Sequence, residues 1–305
     1  MSSNTIQGKK GLLSTTQKDV LAGTTGGIAQ VLVGQPLDIL KVRLQTSPQG
    51  TYNGMLDCAK RIVTKEGPLA FYKGTLTPLL GVGACVSIQF GVMERLKREF
   101  KQLNVNQSKP DPSSLTNSQL YVAGGLAGLA NSWVAGPVEN IRIRLQTQQN
   151  NQFKGPLDCV SKILKSNGLP GLFKGQVPTL LREGHGMGMY FLTYEFLVQR
   201  KLAKDGITRS ELPSSFAMFA GACAGYGLWL TAYPFDIVKS RLQTDSLIPE
   251  QRRYKGTLDC ARQILQESGP KGFFRGLLPT LVRSPFANAA TFVAFEWAAR
   301  NLDKL

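Results

Sequence analysis

The chain of 305 residues carries 36 lysines and arginines against 20 aspartates and glutamates, a formal net charge of +16, and it is 42% hydrophobic. This composition supplies a buried core and excludes wholesale disorder. One histidine and five cysteines argue against a multi-histidine metal centre and a disulfide-stapled secreted domain, so no metal site is predicted. The basic excess fits nucleic acid, anionic lipid or anionic small molecules, and composition alone does not choose among these partners.

Internal repetition is the strongest signal in the chain. The triplet LDC recurs at 56–58, 157–159 and 258–260, each time between an aromatic-x-Gly and an aromatic-basic-Gly. Residues 1–17 contain no apolar signal segment, so they are predicted to be an N-terminal tail, and any organelle address is expected inside the chain. We predict three tandem repeats in one domain, at 18–103, 104–203 and 204–305.

Each repeat is predicted to fold as a long helix, a short helix and a second long helix. The first long helix is expected at about 18–45, the short helix follows the first aromatic-x-Gly, and the second long helix starts near residue 75. The long helices are apolar enough to span a membrane if one face is polar. Glycine pairs four residues apart are expected to let the first helices pack closely, and a proline kinks each of them. The pairs are Gly23 with Gly27, Gly124 with Gly128, and Gly221 with Gly225; the prolines are Pro36, Pro137 and Pro234. The predicted fold is an all-α membrane protein with six kinked spans and three short helices around a central cavity, in pseudo-threefold symmetry.

Charged residues recur beside each proline. An acid follows two residues after it and a base five residues after it, and ionisable groups inside spans are expected to pair or to face water. Under threefold symmetry the acid of one repeat meets the base of the next, which closes one end of the cavity with a ring, and a glutamine nine residues after each proline is placed to brace it. Local pairs within one helix are the alternative interpretation. The predicted ring consists of Asp38 with Arg142, Glu139 with Lys239, Asp236 with Lys41, and the glutamines Gln45, Gln146 and Gln243.

The three PxDxxKxRxQ-like segments, about 100 residues apart and each followed by the two glycine turns, resemble the mitochondrial carrier family. The resemblance covers nearly the whole chain and implies a monomeric, multi-pass transporter of the mitochondrial inner membrane that works by alternating access. It identifies the ring as the matrix-side gate, with small-molecule substrate and membrane lipid as partners and no nucleic acid. It also implies bound cardiolipin at the helix N-termini after the glycine turns, where free N–H groups favour phosphate, and no other cofactor. The glycines concerned are Gly54, Gly74, Gly155, Gly175, Gly256 and Gly276.

The family's opposite, cytoplasmic gate uses an acid and, three residues later, a base on the second long helix of each repeat. Here Glu94 is followed by Lys97, whereas Val198 and Ala299 occupy the other two basic positions. Only the pair of Lys97 with Glu296 is therefore predicted on this side. A gate with one pair suggests the hypothesis that the resting protein prefers its outward-open state.

Substrate is predicted to bind where the repeats differ in polar side chains. At matching offsets from the glycine turns, the second long helices carry Gly81, Arg182 and Arg283, and Glu183 follows Arg182. Two guanidiniums suit a carboxylate and Glu183 suits an ammonium group, which together describe an amino acid or a similar zwitterion. The alternative interpretation is that Arg182 and Glu183, as neighbouring residues, point in different directions and form no common site. The predicted site comprises Arg182, Glu183, Arg283, Gly81, Cys85, Gln89 and Gly186.

The segment REGHGMGMYFLTYE at 182–195 resembles the amino-acid and carnitine branch of the family, which includes the carnitine/acylcarnitine and ornithine carriers. Cys85 stands where basic-amino-acid carriers of this kind tend to have an acid, so neutral or acidic amino acids are favoured over ornithine and lysine. Carnitine/acylcarnitine exchange and carriage of keto acids or nucleotides remain open, as do exchange or uniport and a peroxisomal location. The chain offers no nucleophile–base pair, so it is not predicted to be an enzyme. A nucleic-acid-binding protein is the non-transport alternative.

Three further residue sets are expected to be mainly structural. Cys58, Cys159 and Cys260 are predicted to pack, and Cys85 is the expected target of thiol reagents. His185 is expected to be a polar residue tolerated beside water, and gating or proton relay near neutral pH is the alternative. The tryptophans Trp133, Trp229 and Trp297 are expected to be interfacial or packing residues.

Overall fold

A computed structural model describes residues 15–107, 115–148 and 152–302. These ranges form six long helices of 26 to 32 residues and three shorter ones of 12 to 17 residues. The order long, short, long repeats three times, so the all-α prediction is confirmed. The helices are α1 Thr15–Thr46, α2 Met55–Glu66, α3 Leu76–Asn106, α4 Asn117–Thr147, α5 Pro156–Leu172, α6 Gln176–Asp205, α7 Ser214–Thr244, α8 Thr257–Ser268 and α9 Leu277–Leu302.

The first long helix of each repeat continues through its proline. Pro36, Pro137 and Pro234 lie inside α1, α4 and α7, where each removes one backbone hydrogen bond. The charged motif that follows the proline is therefore on the same helix as the apolar segment before it. Most of the predicted N-terminal tail lies outside the described residues.

The short helices pack against the part of each long helix that follows the proline. Cys58 and Ile62 of α2 are buried against Ile39, Leu40 and Leu44 of α1. The other repeats build the same cluster around Cys159 with Ile163 and around Cys260 with Ile264. Cysteine and isoleucine four residues apart occupy one face of each short helix, and the three cysteines are packing residues as predicted.

Close helix packing at the predicted glycine pairs is found in the second repeat only. A side chain at Gly128 would collide with the backbone carbonyl of Glu183, and one at Gly124 would lie 2.8 Å from the carbonyl of Met187, so these glycines let α4 approach α6. The prediction is wrong for Gly23 with Gly27 and for Gly225, where a β-carbon would meet nothing within 4 Å. In the first repeat, the neighbouring Gly26 lies at the close contact instead, since a β-carbon there would be 3.0 Å from the carbonyl oxygen of Thr291 on α9.

Hydropathy by itself identifies few membrane-crossing helices among the described residues. Helix α7 is long and apolar enough, with a mean hydropathy of 1.2, and the bent pair Pro68–Gly81 and Gly83–Asn106 adds a second candidate. Other long helices carry charged residues within their apolar stretches, such as Arg182 and Glu183 of α6 and Arg283 of α9, which reduce their mean hydropathy. Their outer surfaces are nevertheless apolar, and Trp133 and Trp297 are 60% and 65% exposed, which suits contact with lipid.

An ion pair fixes α2 beneath α1. Arg43 donates two hydrogen bonds to the Glu66 carboxylate, and Lys73 Nζ lies 2.6 Å from Glu66 Oε2. These bonds, from Arg43 first and then from Lys73, lower the pKa of Glu66 from 4.5 to about 2. A carboxylate whose folded pKa is depressed stabilises the fold above its unfolded pKa, and this contribution is lost as pH falls towards the folded value.

We therefore expect Glu66→Gln to lower the Tm by about 2–4 °C at pH 7, because the neutral amide no longer neutralises Arg43 and Lys73. The difference from wild type should shrink as the pH is lowered from about 4.5 towards 2. Thermal unfolding of the detergent-solubilised protein across this range measures it. Glu99→Gln, at an exposed position, is the control and should have no effect. A difference that is constant with pH would contradict the assignment.

Candidate functional site

Three interhelical ion pairs join the first long helices of the repeats, α1, α4 and α7, in the segments that directly follow their prolines. Arg142 Nη2 lies 2.6 Å from Asp38 Oδ2, Lys239 Nζ lies 2.5 Å from Glu139 Oε2, and Lys41 Nζ lies 2.8 Å from Asp236 Oδ2. Each pair connects a different two of α1, α4 and α7, in the order that the repeat symmetry predicts. The structure therefore forms a closed ring of charges at one end of the bundle, hereafter the charge ring.

The three glutamines are buried beneath the charge ring, but only one of them bonds to it. Gln45 Nε2 donates to Asp236 Oδ2 at 2.8 Å. Gln146 and Gln243 make no such bond, and Gln146 Nε2 and both polar atoms of Gln243 have no partner. A glutamine that the sequence did not single out takes part instead, because Gln35 Oε1 accepts from Arg142 Nη2 at 2.9 Å.

Arg182 and Arg283, predicted to bind substrate, lie on the charge ring and share its acids. Arg182 Nη2 is 2.8 Å from Glu139 Oε2, and its Nε is 3.7 Å from Asp236 Oδ1. Arg283 Nε is 2.7 Å from Asp38 Oδ1. Gly34 makes room for the second guanidinium, because a β-carbon there would lie 2.8 Å from Arg283 Nε. Each acid of the ring thus faces an arginine of the predicted substrate site.

These side chains line a cavity of about 190 Å³ at the centre of the bundle. Together with Glu183, which is in contact with Arg182, they form a linked cluster of five cations and four carboxylates. One positive charge remains unbalanced within the cluster, and burial strengthens its attraction for an anion. The members are Lys41, Arg142, Arg182, Lys239, Arg283, Asp38, Glu139, Glu183 and Asp236.

Trp229 packs against the core cluster around Tyr233, which is one of the two expected roles, and it also belongs to this site. It lines the cavity, and Lys41 Nζ lies 4.3 Å from the centre of its ring, a favourable cation–π contact. The corresponding residues of the other repeats are Val31 and Ser132. This difference between repeats is the signal that would have identified Trp229.

Glu183 is buried and turned towards α4. Its Oε2 accepts a hydrogen bond from Asn131 Nδ2 at 3.2 Å, while its other oxygen contacts Arg182. Arg182 and Glu183 thus meet rather than pointing in different directions. Sequence reasoning missed Asn131, which is polar in the apolar half of α4.

The remaining predicted substrate positions are less central. Gly81 and Gly186 lie at helix contacts, since β-carbons there would be 2.9 Å from Val138 Cγ1 and 3.2 Å from Leu228 Cγ. Cys85 and Gln89 are half-buried on α3. His185 is bonded to Tyr121, with 2.8 Å between the hydroxyl and Nδ1, and its ring also contacts Phe235.

Thiol reagents are expected to separate the cysteines into two groups. Cys58, Cys159 and Cys260 are fully buried in the packing of the short helices, so a reagent does not reach their thiols while the protein is folded. Cys85 and Cys223 are partly exposed. A maleimide should modify these two first, as measured by mass spectrometry of peptides, and saturating substrate should slow the modification of Cys85 but not of Cys223. Early modification of Cys58 would contradict the described packing.

The opposite end of the bundle is not joined by the predicted pair. Lys97 is paired with Glu94 at 2.9 Å, and Glu296 with Arg300 at 2.7 Å, each within its own helix. The structure therefore does not bring Lys97 and Glu296 together; each has a nearer partner one turn away. Glu195, the acid of the second repeat, is held by two bonds of 2.9 Å from Arg209, in the linker before α7.

The six turn glycines fall into two sets. One set, with φ of 77° to 83°, packs against the part of a neighbouring long helix that carries the charge ring; it consists of Gly74, Gly175 and Gly276. A β-carbon at Gly276, for example, would lie 3.0 Å from the backbone carbonyl oxygen of Lys41. Gly54, Gly155 and Gly256 precede α2, α5 and α8. Gly175 and Gly256, from neighbouring repeats, line one cavity of about 570 Å³ together with Lys174 and Arg252.

Comparison with known proteins finds one family and many close relatives. The family model described as mitochondrial carrier protein matches residues 13–104, 113–205 and 210–304. The glutamate/glycine mitochondrial carrier of Schizosaccharomyces pombe is 49% identical, over 97% of this chain and 98% of its own length. The mitochondrial glycine transporter of Saccharomyces cerevisiae is 47% identical (93% and 91%), and the mitochondrial basic amino acids transporter of Bos taurus 40% identical (90% and 88%).

Proposed function

Because the chain belongs to the mitochondrial carrier family, we propose that it moves a small amino acid across the mitochondrial inner membrane by alternating access. It is a multi-pass protein of that membrane. The state described here has the charge ring closed and the predicted pair at the opposite end, Lys97 with Glu296, unformed. This arrangement supports the hypothesis of a resting carrier that is closed on its matrix side and open on its cytoplasmic side.

The observation that carries the substrate class is the contact of Arg182 with Glu183 beside a cavity with one unbalanced positive charge. A guanidinium binds a carboxylate, and a neighbouring carboxylate binds an ammonium group. An amino acid carries both groups on adjacent atoms, whereas a keto acid presents a carbonyl acceptor, and a dicarboxylate a second negative charge, to Glu183. The cluster therefore favours a zwitterion.

Glycine and glutamate are the first candidates within this class. The two yeast relatives are named for glycine, and one of them also for glutamate. The unbalanced charge is positive and Cys85 supplies no acid, which disfavours a cationic side chain, although a relative of lower identity is named for basic amino acids. The relatives' names do not favour the acylcarnitine alternative.

Substrate binding is coupled to the gate through the shared arginines. Arg182 is held by Glu139 and Asp236, and Arg283 by Asp38. A substrate carboxylate that draws either guanidinium away from the charge ring weakens the closed state. Because a ligand shifts a conformational equilibrium only by its different affinity for the two states, this exchange of partners supplies the energy for opening.

We further propose a monomer that binds cardiolipin at the six turn glycines. The cavity between Gly175 and Gly256 combines helix N-terminal N–H groups with Lys174 and Arg252, which suits a phosphate. The transport mode is proposed to be exchange of one amino acid for another.

Uptake into liposomes by the purified protein tests the function. Vesicles loaded internally with glycine are offered labelled glycine, glutamate, lysine, carnitine, 2-oxo acids and nucleotides in separate assays, and empty vesicles test the need for exchange. We expect amino-acid uptake only, with a large loss in Arg283→Ala and none in Arg262→Ala, an exposed arginine of α8. Uptake confined to nucleotides or 2-oxo acids would overturn the proposal.

A further inference from the structure

Asn131 is a buried polar residue that belongs neither to the charge ring nor to the proposed carboxylate site. Its side chain is 3% exposed and lies on α4, two helical turns above Glu139. Its Nδ2 donates to Glu183 Oε2 at 3.2 Å, but its Oδ1 has no hydrogen-bond partner. A buried acceptor without a partner costs free energy, and such a group at a binding site marks a position where a ligand's donor belongs.

The environment of this oxygen selects a cationic donor. Glu183 presents a carboxylate to the same side chain, and it is itself 9% exposed. Two acceptors, one of them charged, match an ammonium group, which has several N–H donors and no acceptor. Arg182 contacts the other oxygen of Glu183. Its guanidinium is therefore placed to bind the carboxylate of the same substrate molecule.

The other repeats do not offer this arrangement. Gln30 and Leu228 occupy the positions equivalent to Asn131, six residues before the proline, and Val82 and Ser284 those equivalent to Glu183. A buried amide next to a carboxylate therefore occurs in the second repeat alone. Polar residues that break the symmetry of the repeats serve the substrate rather than the gate.

We propose that Asn131 and Glu183 together form the subsite for the substrate's ammonium group, with Asn131 both accepting a hydrogen bond from it and orienting the Glu183 carboxylate. This inference rests on the proposed function, since it needs an amino acid as substrate. It assigns to Asn131 the discrimination between an amino acid and the same molecule without its ammonium group. A site built around such a hydrogen bond rejects the analogue because its polar groups are then left unpaired.

The test compares competition by glycine and by acetate, which is glycine without its ammonium group and has no N–H or O–H donor in its place, against labelled glycine uptake into liposomes. In wild type, glycine should compete at least about 100-fold more strongly than acetate. Asn131→Ala should raise the KM for glycine about tenfold, leave the affinity for acetate nearly unchanged, and change kcat less than threefold. The ratio of the affinity for glycine to that for acetate therefore narrows about tenfold.

Two further variants separate binding from folding. Gln30→Ala removes the matching amide of the first repeat and should leave the ratio at its wild-type value. Asn131→Ser keeps a hydroxyl at the site but is too short to reach both partners, so it should narrow the ratio as alanine does while the protein unfolds at its wild-type temperature. If wild type transports glycine but Asn131→Ser and Asn131→Ala keep the wild-type ratio of affinities for glycine and acetate, the subsite is overturned and the proposed function stands. Wild type that transports no amino acid overturns the proposed function as well.

Discussion

Replacing Arg182 with alanine is expected to abolish uptake, with a loss of 100-fold or more. Arg182 is 9% exposed and faces three carboxylates, those of Glu139, Glu183 and Asp236. Breaking a buried ion pair by removing one partner costs about 3–5 kcal/mol, and each 1.4 kcal/mol corresponds to about a tenfold change. The variant loses both the proposed carboxylate anchor and the cation that holds two acids of the charge ring together.

Liposome uptake of glycine measures this loss, and Arg182→Lys tests its cause. Lysine keeps the positive charge of Arg182 but not its forked geometry. A point charge neutralises the acids without binding a carboxylate at two points. Relative to Arg182→Ala, we therefore expect Arg182→Lys to restore the Tm more completely than it restores uptake. Arg200→Ala, at an exposed position near the end of α6, is the matched control. Uptake by Arg182→Ala within a few-fold of wild type would refute the assigned role.

The second large effect is expected from Lys41→Ala. Lys41 is the closest cation to Asp236, at 2.8 Å, and it also lies against Trp229. Its removal leaves a buried carboxylate whose remaining favourable neighbours are Gln45, the more distant Arg182 and Lys239. We expect the closed state of the charge ring to lose about 3–5 kcal/mol, so that the matrix side opens and exchange slows by more than tenfold.

Accessibility from the matrix side measures this opening. A cysteine introduced at Ser240, which is buried and lines the cavity, should react with a water-soluble maleimide much faster in the Lys41→Ala background. The double variant Lys41→Ala with Asp236→Ala should be no less stable than Lys41→Ala, because neighbouring charges are not additive. Lys60→Ala, an exposed lysine of α2, should leave labelling unchanged. Equal labelling rates in all backgrounds would exclude a gate at this ring.

The sequence by itself determined the architecture and the partners within the charge ring. Three copies of one motif about 100 residues apart leave few arrangements. Symmetry then assigns Asp38 to Arg142, Glu139 to Lys239 and Asp236 to Lys41, as the structure has them. The packing faces of the short helices, with Cys58 and Ile62 four residues apart, also follow from spacing alone. Repetition makes these inferences strong because each motif occurs three times in the chain.

Only the tertiary structure decided which residues depart from the symmetry. It places Arg182 and Arg283 on the acids of the charge ring, brings Asn131 to Glu183 and Trp229 to Lys41, and leaves Gln146 and Gln243 without the expected bonds. It also shows that Gly26, rather than Gly23 or Gly27, lies at the contact of α1 with α9. Such contacts depend on the rotation and separation of helices far apart in the chain. Local pattern fixes which residues share one helix face, whereas the packing of six helices fixes what each face meets.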